Sequence, residues 1–107
     1  MSKALEDIIA ERLSQRARGF RDNHDDAQTK GELVSAAINY AAAAVIALKL
    51  GGKAFDGTPP LSNWIGIAWP WEESWWKPGS VRRMLVKAGA LIVAEIERID
   101  RSEEIEG

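Results

Sequence analysis

The chain has 107 residues, of which 46% are hydrophobic and 28% charged, so it is long enough for one small globular domain and too apolar to be disordered throughout. A formal net charge of −2 provides no global field to hold duplex nucleic acid by counterion release. The absence of cysteine excludes disulfides and thiolate metal sites.

The first residues mix acids and arginines with their apolar positions, which is not the pattern of a signal peptide. The longest strongly apolar run, Ala41 to Leu48, is far short of the roughly 20 residues that cross a bilayer. A cytoplasmic location is expected, with no membrane partner.

Leu5, Ile8, Ile9 and Leu13 recur at three- and four-residue spacing and predict an amphipathic helix over 3–18, closed by Gly19. Residues 21–30, with Asn23, His24, Asp25 and Asp26 at their centre, keep no apolar period and are expected to form a loop. Thr29 and Glu32 have the spacing of a capping box, which places a second helix at 30–51. Its apolar face would carry Leu33, Val34, Ala37, Ile38, Ala41, Val45 and Leu48, and Gly51-Gly52 would end it.

Residues 53–78 hold all four prolines (Pro59, Pro60, Pro70 and Pro78), which remove amide donors and rule out one long helix. Five tryptophans, Trp64, Trp69, Trp71, Trp75 and Trp76, fall in this aromatic loop. Ser80 is suited to cap a third helix over 80–101, with Val81, Met84, Leu85, Ala88, Leu91, Ile92, Ile96 and Ile99 at helical period. An acidic tail, 102–107, is expected to fray. The resulting fold class is all-α, a compact three-helix domain with a long Trp/Pro-rich loop. Because so small a domain buries limited area, homo-oligomerisation through the second or third helix is expected.

Few residues are arranged for catalysis. His24 is the single histidine, no serine sits in a nucleophile turn, and the glycines lack a phosphate-loop context. Glu95, Glu97 and Asp100 raise the reading of a metal-dependent nucleotide pyrophosphohydrolase. Glu95 and Glu97, however, project about 200° apart on a helix and cannot share one ion. His24, Asp25 and Asp26 match no defined metal-ligand spacing.

The strongest constellation is Trp69, Trp71, Trp75 and Trp76 followed by Lys77, Arg82, Arg83 and Lys87. Indole faces can stack a base, and cations near a helix start can hold phosphate. His24, Asp25 and Asp26 would then bond to ribose or base edges. The competing expectation is that the indoles plug the space above the helices and the cations are solvated. Neighbouring side chains such as those of Trp75 and Trp76 point in different directions, so the five indoles are not expected to be buried alike, and at least one ring is expected to be left for a ligand or partner.

The motifs Ile9-x-Glu11-Arg12, His24-Asp25-Asp26, Gly31-Glu32-Leu33, Ala36-Ala37 with Tyr40-Ala41, Trp69-Pro70-Trp71, Trp75-Trp76-Lys77-Pro78, Leu85 to Ile92 and Ala94 to Arg98 together resemble a family of small proteins encoded by tailed bacteriophages and prophages. Phe20 departs from that pattern, where relatives often carry Gly-Trp. The resemblance implies a phage-encoded protein acting in the bacterial cytoplasm and supplies neither catalytic residues nor a cofactor. With the aromatic and basic residues, it leads to the expectation of a non-enzymatic binder of a nucleotide-derived small molecule, such as a counter-defence sponge for an immune signal. A protein-protein inhibitor or scaffold using the Trp loop is the alternative, and the pyrophosphohydrolase the third.

Overall fold

A computed structural model describes residues 1–19, 21–52, 57–59 and 66–106, with side chains to residue 103. Its elements are α1 (Lys3–Ala17), α2 (Asp22–Asp26), α3 (Glu32–Lys49), a single 3-10 turn (Glu73–Trp75) and α4 (Val81–Glu106), with no strand among the described residues. Trp64 and Phe20 lie outside the described residues, as does much of the segment following Gly52.

The helix boundaries follow local chemistry. Ser2 Oγ accepts from the Leu5 amide at 3.2 Å to open α1. Gly19 follows its end at φ 114°, in the left-handed region that glycine enters without strain. At the end of α3, the Gly52 amide reaches back to the Ala47 carbonyl at 2.8 Å. Ser80 caps α4 through its hydroxyl, which accepts from the Arg83 amide at 3.1 Å.

Three expectations are corrected. Residues 22–26, expected as loop, form the short α2, held by long-range ion pairs rather than by an apolar stripe. The capping box at Thr29 does not form. Gly31 at φ 81° is the cap residue of α3, and the Glu32 carboxylate instead accepts from the Lys30 amide at 2.7 Å. The acidic tail continues α4 to Glu106 instead of leaving it at residue 101.

α4 is the hub against which α1, α2 and α3 all pack, most extensively α3. The α3 side of that contact is a stripe of Leu33, Ala36, Ala37, Tyr40, Ala43, Ala44 and Ala47, whose small side chains let the helices approach closely. Opposite stand Met84, Ala88, Leu91 and Ala94 of α4. By length and apolarity α3 is the one described helix that could cross a bilayer, and 44% of that span is buried inside the protein.

The orientation of α1 reverses the sequence expectation. Leu5, Ile9 and Leu13 are exposed, whereas Glu11, Arg12 and Gln15 are buried. The inward side of this helix is polar because it meets polar partners. The Arg12 guanidinium donates to Asp25 Oδ2 at 2.8 Å and to Glu97 Oε1 at 2.8 Å, and Asp25 is fully buried. On α3 and α4, Val45, Leu48, Leu85, Ile92, Ile96 and Ile99 are likewise exposed, although periodicity assigned them to the apolar faces. The molecule measures 47 × 35 × 21 Å. Its thinnest dimension holds about two helix diameters, so α4 cannot be covered on every side.

Candidate functional site

Between residues 67 and 80 the one regular element is the 3-10 turn, in which the Trp75 amide bonds to the Glu72 carbonyl at 3.0 Å and the Trp76 amide to the Glu73 carbonyl at 2.9 Å. This turn sends the neighbouring indoles in different directions. Trp76 is buried at 8% exposure, while Trp75 remains 43% exposed. Trp76 stacks on Tyr40 with centroids 4.6 Å apart and gives its indole N–H to the Gly57 carbonyl at 2.7 Å. It belongs to the core.

Trp69 stands edge-on to Tyr40 at 5.6 Å, to Trp71 at 5.5 Å and to Trp76 at 5.1 Å. Its N–H is held by the Glu72 carbonyl at 3.0 Å, and that of Trp71 by Gln28 Oε1 at 3.0 Å. The polar ends of both rings are thus tied to the protein, and both rings pack against the core. His24 lies parallel to Trp75 at 6.5 Å and tilted to Trp71 at 6.0 Å.

Trp69, Trp71 and Trp75, together with Tyr40 and Leu91, wall a cavity of about 220 Å³. Its polar lining comes from Glu11, Gln15 and Arg18 of α1, from Ser74 and Lys77, and from Lys87 of α4. The Lys87 ammonium donates to the Lys77 carbonyl and sits 5.5 Å from the centre of the Tyr40 ring. Burial is the main cause that holds Lys87 below the usual lysine pKa, with Arg83 adding repulsion. Burial also raises the Tyr40 phenol, whose oxygen accepts from the Lys77 amide at 3.1 Å.

Among the described residues Glu11 is the only acid lining the cavity, and its charge is engaged: Oε2 accepts from Arg18 at 2.9 Å and Oε1 from Arg83. Gln15 donates to Glu11 Oε2 at 3.3 Å, which fixes the amide orientation because a carboxylate can only accept. Gln15 Oε1 is buried without a hydrogen-bond partner among the described residues. With Arg18, Lys77 and Lys87 around a neutralised carboxylate, the rim carries excess positive charge.

The sequence-derived site is only partly assembled. Trp69, Trp71, Trp75, Lys77 and Lys87 line the cavity; Trp76 supports it from behind. Arg82 and Arg83 do not line it, because they turn to Asp7 and Glu11 along a separate cleft beside α1. Asp25 is committed to Arg12 and to His24 Nδ1 at 3.1 Å, and Asp26 to Arg101 at 2.7 Å. These carboxylates are structural partners and are not presented to a ligand in the cavity. Glu95 pairs with Arg98 and Glu97 with Arg12, and no group of three metal-ligating side chains occurs among the described residues.

Sequence reasoning missed Glu11, Gln15, Arg18 and Tyr40. Tyr40, a single large polar-tipped ring in a run of alanines, was the available signal; for the α1 residues there was none, since they lie on the face periodicity marks as solvated. No protein-family model, curated protein or solved structure matches this chain.

Proposed function

We propose that this chain binds a planar, anionic, nucleotide-derived small molecule without turning it over. The observation that carries the reading is the convergence of Tyr40, Trp69, Trp71 and Trp75 with Arg18, Lys77 and Lys87 on one cavity. A base slotted against indole faces gains about 1–3 kcal/mol per stacking contact, and the cations supply charge-assisted bonds for phosphate. Phosphate binding falls to Arg18, Lys77 and Lys87, taking the place expected for Arg82 and Arg83.

The size of the cavity narrows the ligand. At about 220 Å³ it lies below the roughly 300–1,000 Å³ of typical small-molecule pockets, which favours a single base with its sugar and phosphate at the open rim over an enclosed dinucleotide. In a phage-encoded protein acting in the host cytoplasm, such binding would withdraw a nucleotide immune signal. The role needs no catalytic group, in keeping with the engagement of Asp25, Asp26, Glu95 and Glu97 by arginines.

The test is isothermal titration with adenosine, guanosine, cytidine and uridine monophosphates, followed by chromatography of the recovered ligand. Saturable binding of at least one, returned intact and weakened by Trp71→Ala and Lys87→Ala, is the expected result. Absence of binding to all four, or their hydrolysis, would overturn the proposal.

A second reading, contact with other protein chains, is favoured by the exposed leucines and isoleucines of α1 and α4. We include self-association of the chain in the proposal on this ground.

A further inference from the structure

The ligand proposed above has a flat base and an anionic end, and the wall that α1 gives to the cavity bears on which base it is. Gln15 lines that wall, is 4% exposed, and its Oε1 has no hydrogen-bond partner among the described residues. Its Nε2, by contrast, is fastened to Glu11 Oε2 at 3.3 Å. A carboxylate can only accept, so the amide cannot turn its oxygen toward Glu11, and Oε1 stays the free end.

Glu11 cannot swing aside to release the amide. It is 2% exposed, with Arg18 on Oε2 at 2.9 Å and Arg83 on Oε1. Glu11 and Gln15 are four residues apart and share one face of α1, so the wall holds an acceptor of set orientation. Among the described residues Gln15 Oε1 is the one buried side-chain polar atom left without a partner. Buried oxygens are nearly always paired, and the cost of leaving one alone is relieved by an incoming donor.

That donor belongs to the base. Phosphate oxygens accept, and they are drawn to the cations Arg18, Lys77 and Lys87, with the sugar beside them at the open rim. Adenine, cytosine and guanine each carry an amino group that projects from the ring, and its hydrogens reach a side chain in the wall ahead of the ring atoms. Uracil offers only a ring N–H flanked by carbonyl oxygens. Those oxygens project as far as the hydrogen does and would bring further acceptors beside the Glu11 carboxylate.

We propose that Gln15 Oε1 accepts a hydrogen bond from the exocyclic amino group of the base, so that the cavity selects nucleotides with amino-bearing bases. The proposal rests on the nucleotide reading of the cavity. Gln15 is then the residue that sets specificity. Glu11 positions it, and Arg83, which does not line the cavity, acts on the ligand only through Glu11.

Isothermal titration of the full chain compares each amino-bearing nucleotide with the analogue in which hydrogen replaces the amino group. The pairs are adenylate with purine ribonucleotide, guanylate with inosinate, and cytidylate with pyrimidin-2-one ribonucleotide. For the nucleotide that binds best, the amino form should bind about tenfold tighter or more than its analogue, because the analogue leaves the buried acceptor unpaired. Uridylate should bind more weakly than that nucleotide. Gln15→Met keeps the length of the side chain and loses the acceptor; it should bring the two members of the pair to within about twofold of each other by weakening the amino form alone. A Gln15 that served only the fold would affect both members alike.

Equal affinity for the two members in the original protein, a measurement that needs no variant to fold, overturns this inference and leaves the nucleotide reading standing. So does tighter binding of uridylate than of every amino-bearing nucleotide, or a Gln15→Met variant that keeps the original preference or weakens both members equally. Absence of binding to every nucleotide overturns both.

Discussion

Ile8 of α1 rests directly on Gly89 of α4: a β-carbon added at Gly89 would come within 3.1 Å of Ile8 Cδ1 and 3.3 Å of Cγ1. This contact sets how near α1 lies to α4, and α1 carries Glu11, Gln15 and Arg18 to the cavity. Gly89→Ala gains about 0.5–1 kcal/mol of helix propensity, which offsets the few tenths of an ångström that the flexible end of Ile8 must yield. Its stability should therefore stay within about 1 kcal/mol of the original. Gly89→Val cannot be accommodated by the Ile8 tip alone and should cost about 1–3 kcal/mol. Urea unfolding of the two variants checks this; equal losses would mean that the helices separate freely and that Gly89 does not set their distance.

A second dependence runs through Arg12. Its guanidinium is almost wholly buried and bridges fully buried Asp25 to half-exposed Glu97. Asp25→Ala leaves that cation without its buried partner and should destabilise by about 3–5 kcal/mol. Replacing both by apolar residues, Arg12→Met with Asp25→Leu, should recover much of the loss, because the expense lies in an uncompensated charge. Denaturant midpoints of Arg12→Met, Asp25→Leu and the double variant complete the cycle. If the double loss equalled the sum of the single losses, the residues would not be coupled.

The ends of α1 and α3 and the start of α4 were legible because they depend on residues within a few positions: the Ser80 hydroxyl, and Gly19, Gly51 and Gly52 at positive φ. The facing of α1 was not. Periodicity reveals that Leu5, Ile9 and Leu13 share a side but cannot tell whether that side meets the core or another surface, and the ion pairs that draw Arg12 inward come from α2 and α4. For the same reason α2 escaped notice, since a helix of five residues is held by Asp25 and Asp26 reaching to distant arginines. The cavity was half legible. Aromatic and basic residue types pointed to Trp69, Trp71, Trp75, Lys77 and Lys87, whereas Arg82 and Arg83 look equivalent to Lys87 in sequence and are diverted by acids of α1.

Trp75 and Trp76 should respond in opposite ways. Trp75→Ala removes a half-exposed wall of the cavity and should lower nucleotide affinity by about 1–3 kcal/mol with little change in Tm. Trp76→Ala empties a core position stacked on Tyr40 and should cost about 3–5 kcal/mol of stability. Calorimetry for binding and thermal melts for stability separate these effects. Substitutions that shifted Tm alike would show that Trp75 is a packing residue, and the stacking role assigned to it would fail.

Lys87 should make ligand affinity depend on pH. Its ammonium is held below the ordinary lysine value of 10.5, chiefly by burial, so it loses its proton at a pH where a free lysine keeps it. Anion affinity should be greatest at neutral pH and fall as pH rises through that lowered value, because the charge that attracts phosphate disappears. Folding stability responds with the opposite sign. Between the lowered value and 10.5 the unfolded chain binds more protons at Lys87 than the folded one, so this group's contribution to stability rises with pH there. Tyr40 acts against it above 10.0, where its raised phenol pKa lets the unfolded chain lose a proton first. Titrations at stepped pH, with Lys87→Arg in parallel, isolate the effect: the arginine variant stays charged and its affinity should be flat where the original falls. If both proteins lost affinity together, the titrating group would be elsewhere and Lys87 would not be the phosphate contact.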